Sequence, residues 1–370
     1  MMKIKVVFDH QIFCLQAYGG ISRYFVELAK ELTMRPNTEA TVSAPAHVNK
    51  YLKQAESDID IVGFAINKFK GSGIILPPIG SLVNGCLLKF STSDIVHETY
   101  YSYTRRAPQK AKIVLTVFDM IHEIFPEYFS ASDPTSKMKA AAVARADHII
   151  CISHQTQSDL INLLKVDPAK TTVIHLGFKL TTHQIEACHQ GDTSPYLLYV
   201  GMRAGYKNFE RFLRAVALSP DLHKKYRIVC FGGGPFSAKE QELIKELCFE
   251  ENSVCQLSGS DAMLAGLYKH ACLFVYPSLY EGFGIPPLEA MAYDCPVVCS
   301  NVSSIPEVVG DAGQYFDPTS TGEIMAAIER TANDPTLRNT LIEAGRKRIQ
   351  KFSWERCATE TLAVYRKLLI

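Results

Sequence analysis

Residues 276–291 read YPSLYEGFGIPPLEAM and contain, in order, the signals of a strand, a tight turn and a helix. The apolar run Cys272–Pro277 that leads into them is typical of a buried strand. Pro286 and Pro287 precede good helix formers, and proline is tolerated in a first helical turn because the N–H it lacks has no partner there. The stretch therefore predicts a strand and a helix joined by a glycine turn.

Two carboxylates flank this turn. Glu281 is placed at the mouth of the strand, and Glu289 is expected in the first turn of the helix. Gly282 and Gly284 let a ligand approach the backbone, and the N-terminus of a helix attracts an anion. Ionised carboxylates accept hydrogen bonds from hydroxyl groups, so a nucleoside diphosphate sugar fits the pattern. An ordinary acid near a helix start and one exposed glutamate would give the same pattern.

The composition narrows the class of protein. A length of 370 residues suggests two domains, and a hydrophobic content of 47% is enough for two cores. The net charge of +1 implies no bulk attraction to nucleic acid or to an acidic membrane. The 11 cysteines form no Cys-x-x-Cys pair, which predicts reduced thiols in a cytoplasmic protein.

Neither a membrane span nor a metal site is predicted. The first residues have the pattern of a strand and not of a signal peptide, and no apolar run reaches about 18 residues. Peripheral contact with the inner face of a membrane is left open. Asp58 and Asp60 match a D-x-D pattern, but the sequence offers no further ligand beside them.

Short apolar runs alternate with helical patterns along the chain, which predicts alternating strands and helices. The predicted strands cover residues 4–10, 40–45, 60–64, 94–97, 112–119, 148–153 and 172–177, and then 196–201, 226–234, 253–259, 272–278, 296–300 and 313–318. Such alternation forms parallel sheets covered by helices. We therefore expect an α/β protein with two Rossmann-like doubly wound domains facing a cleft, with ligands beyond the carboxyl ends of the strands.

The polar segment 181–196 lacks periodicity and is predicted to be a linker. It separates an N-terminal domain over residues 1–182 from a C-terminal domain over residues 193–350. Residues 351–370 have the pattern of one further amphipathic helix.

Gly19 and Gly20 follow the first predicted strand and begin a helix, which makes this turn a second candidate anion site. A plain connection between strand and helix is the alternative. The dinucleotide fingerprint G-x-G-x-x-G is absent from this turn, which disfavours a dehydrogenase.

Arg203 and Lys207 follow the first strand of the second domain, and Asn208 is a candidate helix cap. An arginine and a lysine at the end of a strand are suited to holding a diphosphate, although solvated loop charges give the same pattern. Asp119 ends the predicted strand at 112–119 and His122 follows it, where acid–base groups would act on a reacting sugar or its acceptor. A structural histidine in a loop is the alternative.

The stretch PSLYEGFGIPPLEAMAYDCPVV (277–298), with seven residues between its two glutamates, resembles the signature of retaining family-4 glycosyltransferases of the GT-B fold. The resemblance extends to the glycine turn after the first strand, to Arg203 and Lys207, and to SIPEVVGDAGQYFDP (304–318). It implies an acceptor-binding N-terminal domain, a C-terminal domain that binds the nucleotide sugar, and a last helix that crosses back to the N-terminal domain.

The resemblance also implies roles for individual residues. Arg203 and Lys207 would stabilise the leaving phosphate, Glu281 would hold the donor sugar, and Glu289 would accept hydrogen bonds from the ribose. The base would lie near Ser260. The full predicted donor set is Gly19, Gly20, Arg203, Lys207, Ser260, Glu281, Gly282, Phe283, Gly284, Ile285 and Glu289, and the predicted catalytic set is Asp119, His122, Arg203, Lys207 and Glu281. No metal or cofactor is implied beyond a GDP- or UDP-linked sugar, and the acceptor would be a glycan or a lipid-linked saccharide.

Two features depart from the family pattern. Phe118 stands where many members have a histidine near the donor sugar, and the spacing from Arg203 to Lys207 is shorter than in many relatives. The stretch TVFDMIHEIFPEYF (116–129) is most similar to enzymes that build bacterial surface polysaccharides, often mannosyltransferases. A nucleotide-sugar epimerase of the same fold and a non-catalytic protein that binds sugar nucleotides are the alternatives.

Overall fold

The computed structural model describes residues 3–89, 91–105, 107–180 and 194–370. The chain divides into two compact units, Met1–Gly177 together with Phe352–Ile370, and Phe178–Lys351. The predicted domain ends at 182 and 193, most of the predicted linker and Cys188 lie outside the described residues.

The first unit contains a parallel sheet of seven strands. Its strands are β1 Ile4–Phe8, β2 Thr38–His47, β3 Asp60–Ala65, β4 Ile95–Glu98, β5 Lys112–Val117, β6 His148–Cys151 and β7 Thr171–Val173. They are ordered β3-β2-β1-β4-β5-β6-β7, so the direction of winding reverses between β1 and β4. In register, Phe8 of β1 lies opposite Val42 of β2 and His97 of β4. This is the strand order of a doubly wound Rossmann-like sheet.

The helices of the first unit connect these strands. They are α1 Gln11–Leu15, α2 Gly20–Thr33, α3 Lys50–Gln54, α4 Ser72–Lys89, α5 Ile121–Ile124, α6 Thr135–Arg145 and α7 His154–Leu164. Helix α2 is amphipathic, with Phe25, Leu28 and Leu32 recurring on its buried side at intervals of three and four residues.

The second unit contains a parallel sheet of six strands in the order β10-β9-β8-β11-β12-β13. Its strands are β8 Tyr196–Val200, β9 Arg227–Phe231, β10 Val254–Leu257, β11 Leu273–Tyr276, β12 Val297–Ser300 and β13 Gly313–Phe316. The winding reverses between β8 and β11, which are neighbours in the sheet, with Leu273 opposite Leu197.

The helices of the second unit are α8 Phe209–Leu218, α9 Pro220–Lys225, α10 Ala238–Glu246, α11 Asp261–His270, α12 Ile285–Ala292, α13 Ile305–Val309, α14 Thr321–Asn333 and α15 Pro335–Ile349. Phe209, Phe212, Leu213 and Val216 of α8 are buried at helical spacing. They join strand residues such as Ile228 in the core of this unit.

The helix α16, Trp354–Leu368, belongs to the first unit although it follows the second in sequence. Tyr365 Oη lies 2.6 Å from His97 Nδ1, and the Trp354 ring packs 6.0 Å from that of Tyr24 on α2. A Cβ atom on Gly177 would lie 2.4 Å from the Trp354 ring, so only glycine fits beneath this side chain. Burial of these aromatic groups anchors α16 in the unit.

Every predicted strand has a counterpart in the structure, so the α/β prediction with two Rossmann-like sheets is confirmed. The described cysteines are free thiols, and burial raises the pKa of Cys14, Cys151 and Cys357 to about 12. Within the described ranges, no helix combines the length and apolar character needed to cross a membrane.

Candidate active site

The reversal of winding in the second sheet brings two loops of the second unit together. The segment 201–208 follows β8, and the segment 277–284 follows β11. Parallel sheets bind ligands at the carboxyl ends of their strands where the winding reverses. The two stretches that the sequence selected for phosphate and sugar binding therefore meet at one edge of this sheet.

Lys207 and Glu281 form an ion pair at this edge. Lys207 Nζ lies 2.7 Å from Glu281 Oε1, and the two side chains are only 19% and 10% exposed. Burial and then the charge of Glu281 raise the pKa of Tyr276 well above its ordinary value, so Tyr276 stays protonated in its hydrogen bond with Glu281. The carboxylate thus lies between a cation and a neutral donor.

The backbone of Glu281 is also fixed. Ser303 Oγ and Ser304 Oγ donate to its carbonyl oxygen at 2.7 and 2.8 Å, and its N–H donates to Ser303 Oγ at 3.2 Å. Ser304 Oγ lies 2.8 Å from the carbonyl oxygen of Phe283 as well. The turn 281–284 is therefore tied to the residues that follow β12, and such preorganisation suits a binding site.

Gly284 makes the turn into α12. Its φ of +117° lies in the region that L side chains rarely adopt, and it is the residue before the first helical residue, Ile285. The prediction of a glycine turn followed by a helix with early prolines is confirmed. One detail was wrong: the helix already begins at Ile285, so Glu289 lies in its second turn and not in its first.

Glu289 is hydrogen-bonded by a different buried tyrosine. Tyr268 Oη donates to Glu289 Oε2 at 3.2 Å, and burial together with the charge of Glu289 raises the pKa of Tyr268 well above its ordinary value. Each of the two predicted glutamates is therefore hydrogen-bonded by a neutral phenol, and the sequence contained no signal for either pairing.

Arg203 takes a different set of partners from Lys207. Its Nε lies 2.7 Å from Glu240 Oε1, and its Nη atoms donate to the carbonyl oxygens of Gly232, Gly234 and Pro235 at 2.8 to 3.0 Å. Its side chain is only 3% exposed. The guanidinium thus holds the turn after β9, and its predicted contact with a diphosphate stays a prediction.

The glycine run in this turn leaves room for Arg203. Gly232, Gly233 and Gly234 have φ values of +85°, +72° and +71°. A Cβ atom on Gly233 would lie 2.7 Å from Arg203 Nη1 and 2.8 Å from the carbonyl oxygen of Gly201. Burial disfavours the ionised form of Glu240, but hydrogen bonds from Ser237 and Arg203 outweigh it and hold the pKa below the usual value.

The side chains of Asn208 and Ser260, which the sequence singled out, make hydrogen bonds within the second unit. Asn208 occupies the position before α8 with a φ of +58°, but its side chain makes no capping hydrogen bond and instead donates to Pro277 O and Pro318 O. Ser260 caps α11, because its Oγ accepts from Met263 N at 3.1 Å. The cap predicted at Asn208 was therefore wrong, and the proximity of Ser260 to a base stays a prediction.

In the first unit, the predicted glycine turn begins α2 at Gly20. A Cβ atom on Gly20 would meet no atom within 4 Å, whereas one on Gly19 would lie 2.2 Å from Gln16 Oε1. The backbone at Gly20 is therefore accessible to a ligand, as the sequence predicted for a close approach.

Asp119 and His122 do not pair with each other. Asp119 Oδ1 accepts from Ile121 N at 3.1 Å, whereas His122 stacks on Phe129 at 3.8 Å and lies 3.7 Å from an Asp133 carboxylate oxygen. The histidine is thus held by its own loop, and its proposed chemistry is untested.

A buried lysine that the sequence did not single out supports this segment. Lys139 Nζ donates to Glu123 Oε2 at 2.7 Å and to the carbonyl oxygen of Asp119 at 2.9 Å, and its side chain is 1% exposed. The residues next to it in α6 are small or apolar, so the pattern gave no sign of a partner. Lys139 fixes the backbone of the candidate residues after β5.

Phe118 is a core residue of the first unit. It is 7% exposed, and its ring packs edge-on against Tyr24 at 5.4 Å and against Phe25 at 6.0 Å. An apolar side chain in an aromatic cluster has no hydrogen-bonding role, so Phe118 itself supplies no polar group to a ligand.

Comparison with known proteins agrees with this geometry. Residues 18–182 match the family described as Glycosyltransferase Family 4, and residues 183–348 match Glycosyl transferases group 1. The O-antigen chain mannosyltransferase B of Escherichia coli is 30% identical, over 94% of this chain and 96% of its own length. The chain belongs to the family 4 glycosyltransferases. The O-antigen chain mannosyltransferase RfbU of Salmonella typhimurium is 24% identical, with 85% of this chain and 88% of that protein covered.

Solved structures show the same fold as this glycosyltransferase. The sucrose-phosphate synthase of Thermosynechococcus elongatus superimposes with a TM-score of 0.73, at 20% identity and with 99% of both chains covered. Anabaena HepE in complex with UDP and glucose gives a TM-score of 0.70 at 20% identity, covering 98% of this chain and 99% of that chain. The GT-B prediction is confirmed, and the enzyme is a transferase and not the epimerase or the non-catalytic protein considered as alternatives.

Proposed function

We propose that the enzyme transfers mannose from a nucleoside diphosphate mannose to a hydroxyl of a glycan or lipid-linked saccharide during synthesis of a surface polysaccharide. The observation that carries the proposal is the buried Lys207–Glu281 pair at the winding reversal of the second sheet. The mannosyltransferase names of the two O-antigen relatives support the choice of sugar. The free thiols of the described cysteines support a cytoplasmic location.

In the proposed donor complex, the diphosphate lies at the turn 281–284, where the backbone N–H groups of Gly284 and Ile285 precede Pro286 and Pro287, which have none. Glu281 would accept hydrogen bonds from the sugar hydroxyls, and Glu289 from the ribose hydroxyls. The buried phenols of Tyr276 and Tyr268 orient these carboxylates for this purpose. We propose that GDP or UDP is the nucleotide and that no metal is required.

The proposed reaction breaks the bond between the anomeric carbon and the phosphate while the acceptor oxygen bonds to the anomeric carbon from the same face, with retention of configuration. The proton of the acceptor hydroxyl passes to the leaving diphosphate. Negative charge develops on the leaving diphosphate. Lys207 is placed to stabilise it, because its ammonium is already fixed by Glu281 and is mostly buried. A preorganised group of this kind is typically worth about 3 kcal/mol, or roughly a hundredfold in rate.

The deciding experiment measures donor binding by thermal shift with GDP, UDP, ADP and their sugar conjugates in the presence of EDTA. A ligand that binds only the native state raises its melting temperature, and we expect one nucleotide to do so selectively. Glu289→Gln should weaken that nucleotide by about tenfold through loss of the ribose hydrogen bonds. The matched control is Glu242→Gln at an exposed position of α10, which should bind like the parent enzyme.

Two results would count against the proposal. One is the absence of a shift with every nucleotide, and the other is an equal shift in the Glu289 variant and its control. Lys207→Met should then retain donor binding within about tenfold while transfer to a mannose-terminated oligosaccharide falls by roughly a hundredfold. Equal transfer rates in this variant and the parent enzyme would remove Lys207 from the mechanism.

A further inference from the structure

Helix α4 of the first unit exposes many of its apolar side chains and buries two of its polar ones. The residues that it buries recur every four positions: the polar Ser72 and Asn84, at 1% and 0% exposure, alternate with Leu76, Gly80 and Leu88. Its outward side is apolar: Ile75, Ile79, Leu82, Val83, Cys86 and Leu87 are all exposed. A helix on the surface of a protein in water ordinarily shows the opposite arrangement.

The buried polar residues have partners in the unit. Asn84 accepts a hydrogen bond from Ser43 Oγ and its Nδ2 lies 3.1 Å from His10 Nδ1. His10 Nε2 in turn lies 3.3 Å from the carbonyl oxygen of Pro77 and from Ser81 Oγ. This network fixes the rotation of α4 about its axis, because turning the apolar side inward would leave these groups without partners.

The outward side of α4 is therefore a stable, exposed apolar face. Leu82 is 74% exposed, Ile79 is 52% exposed and Ile75 is 48% exposed. Phe69, just before the helix, adds a 46% exposed ring. Contiguous apolar surface of this kind on a soluble domain marks a region that contacts another apolar phase or partner.

The charges around this face indicate which phase it contacts. Residues 61–93 contain no aspartate or glutamate, and their charged residues are Lys68, Lys70 and Lys89. Lys68 and Lys70 are exposed beside Phe69 at the start of α4. Glu39, which pairs with Lys3, and Asp60 line a cavity at the opposite end of the helix, with Leu87. The apolar segment itself contains basic and no acidic residues and so complements anionic lipid headgroups, whereas a second copy would bring like charges together.

We propose that the outward face of α4, together with Lys68, Phe69 and Lys70, docks the first unit on an anionic lipid bilayer. The helix would lie in the plane of the interface with its apolar side chains at the boundary between headgroups and acyl chains. This inference goes beyond the proposed transfer reaction and does not depend on the identity of the donor or the acceptor.

The test is flotation of the full chain with vesicles of phosphatidylcholine containing about one third phosphatidylglycerol, compared with pure phosphatidylcholine. We expect binding to the anionic vesicles that weakens with added salt and falls at least about tenfold in Leu82→Glu. The matched control is Leu163→Glu, at an exposed leucine on α7 of the same unit, which should bind like the parent chain. Replacing Lys68 and Lys70 by glutamine should cost roughly fivefold for each lysine.

The exposed thiol of Cys86 gives a second, local readout. A polarity-sensitive fluorophore on Cys86, with Cys188 and Cys248 replaced by serine, should shift to the blue on anionic vesicles. The same fluorophore on Cys248, which is exposed in the second unit, should not shift when Cys86 and Cys188 are serine.

Three outcomes would overturn the proposal. They are no flotation of the parent chain, equal flotation of Leu82→Glu and Leu163→Glu, and flotation without a shift at Cys86. A fourth is a parent dimer that Leu82→Glu converts to a monomer, with no vesicle binding, which would assign the face to a second copy. Because none of these measurements uses sugar transfer, their failure is distinguishable from failure of the proposed function.

Discussion

Replacing Arg203 by alanine is expected to destabilise the second unit because the guanidinium is the common partner of the glycine turn after β9. The side chain is 3% exposed, and it donates to Glu240 and to three carbonyl oxygens. Its removal would leave a partly buried carboxylate without its cation and would remove a donor from the carbonyl groups of Gly234 and Pro235, whereas Gly232 O keeps a weaker contact with Gln256 Nε2 at 3.3 Å. Loss of one partner of a buried ion pair is the costly case.

The magnitude follows from these contacts. Hydrogen bonds to a charged group contribute about 1.5–3 kcal/mol each, but they share one side chain and do not add. Water can reach part of the turn, and Glu240 keeps its hydrogen bonds from Ser237. We therefore expect a loss of about 3–4 kcal/mol in the free energy of unfolding, against a usual total of about 5–15 kcal/mol.

Arg214 provides the matched control in the same unit. It also pairs with two carboxylates, Glu210 and Glu246, but its side chain is 40% exposed. Ion pairs of this kind contribute less than about 1 kcal/mol, so Arg214→Ala should unfold almost like the parent enzyme. Urea unfolding of both variants, followed by circular dichroism, measures the difference.

Amide hydrogen exchange locates the effect. The Arg203→Ala variant should lose protection of the amides of residues 232–236. The Glu240→Ala variant keeps the guanidinium and should lose only part of that protection. Unfolding free energies of Arg203→Ala and Arg214→Ala within about 1 kcal/mol of each other would refute this role of Arg203. It would also be refuted if the turn kept its protection in Arg203→Ala.

Three further predictions use other parts of the molecule. Burial lowers the pKa of His97 to about 3, below its unfolded value of about 6.5. The contribution of His97 to stability is therefore lost as pH falls below 6.5, by about 1.4 kcal/mol per pH unit. The pH dependence of the unfolding free energy between pH 6.5 and 5 should be weaker in His97→Phe, and an unchanged slope would contradict this. Gly233→Ala should lower the melting temperature more than Gly234→Ala, because both residues have φ near +70° but only the first would clash; equal melting temperatures would show that the clash is relieved. Lys139→Met should destabilise the first unit by about 3 kcal/mol, because it leaves Glu123 without its cation. Adding Glu123→Leu should recover most of this loss, as measured by urea unfolding. A double variant as unstable as the single one would argue against the pairing.

The sequence predicted the strands well because parallel strands are buried on both faces and appear as short, nearly continuous apolar runs. The same reasoning did not predict α4. Its segment contains Pro77 and Pro78, and most of its apolar residues point outward while Ser72 and Asn84 point inward beside Leu76 and Leu88. Periodicity identifies a helix only when the apolar side faces the core, so an inverted helix gives no usable signal.

Turn positions were predictable where backbone geometry demanded a residue type, as at Gly284 and at the start of α2, whereas the binding roles of these residues stay predictions. Pairings were not predictable, because they join positions far apart in the chain: Lys207 with Glu281, Arg203 with Glu240. A single sequence contains the two charges of each pair but not the loop geometry that brings them together. The hydrogen-bond partners therefore distinguish Arg203 from Lys207, although the motif predicted the same role for both residues.

The placement of α16 in the first unit has a consequence for biosynthesis. Tyr365 covers the core beside His97, so a ribosome must deliver the residues through Tyr365 before this unit can close. The second unit is continuous in sequence, and its residues through Lys351 are translated before α16. Translation thus inverts the usual order in which the N-terminal domain matures first, and the first unit stays incomplete while the second is already available to fold.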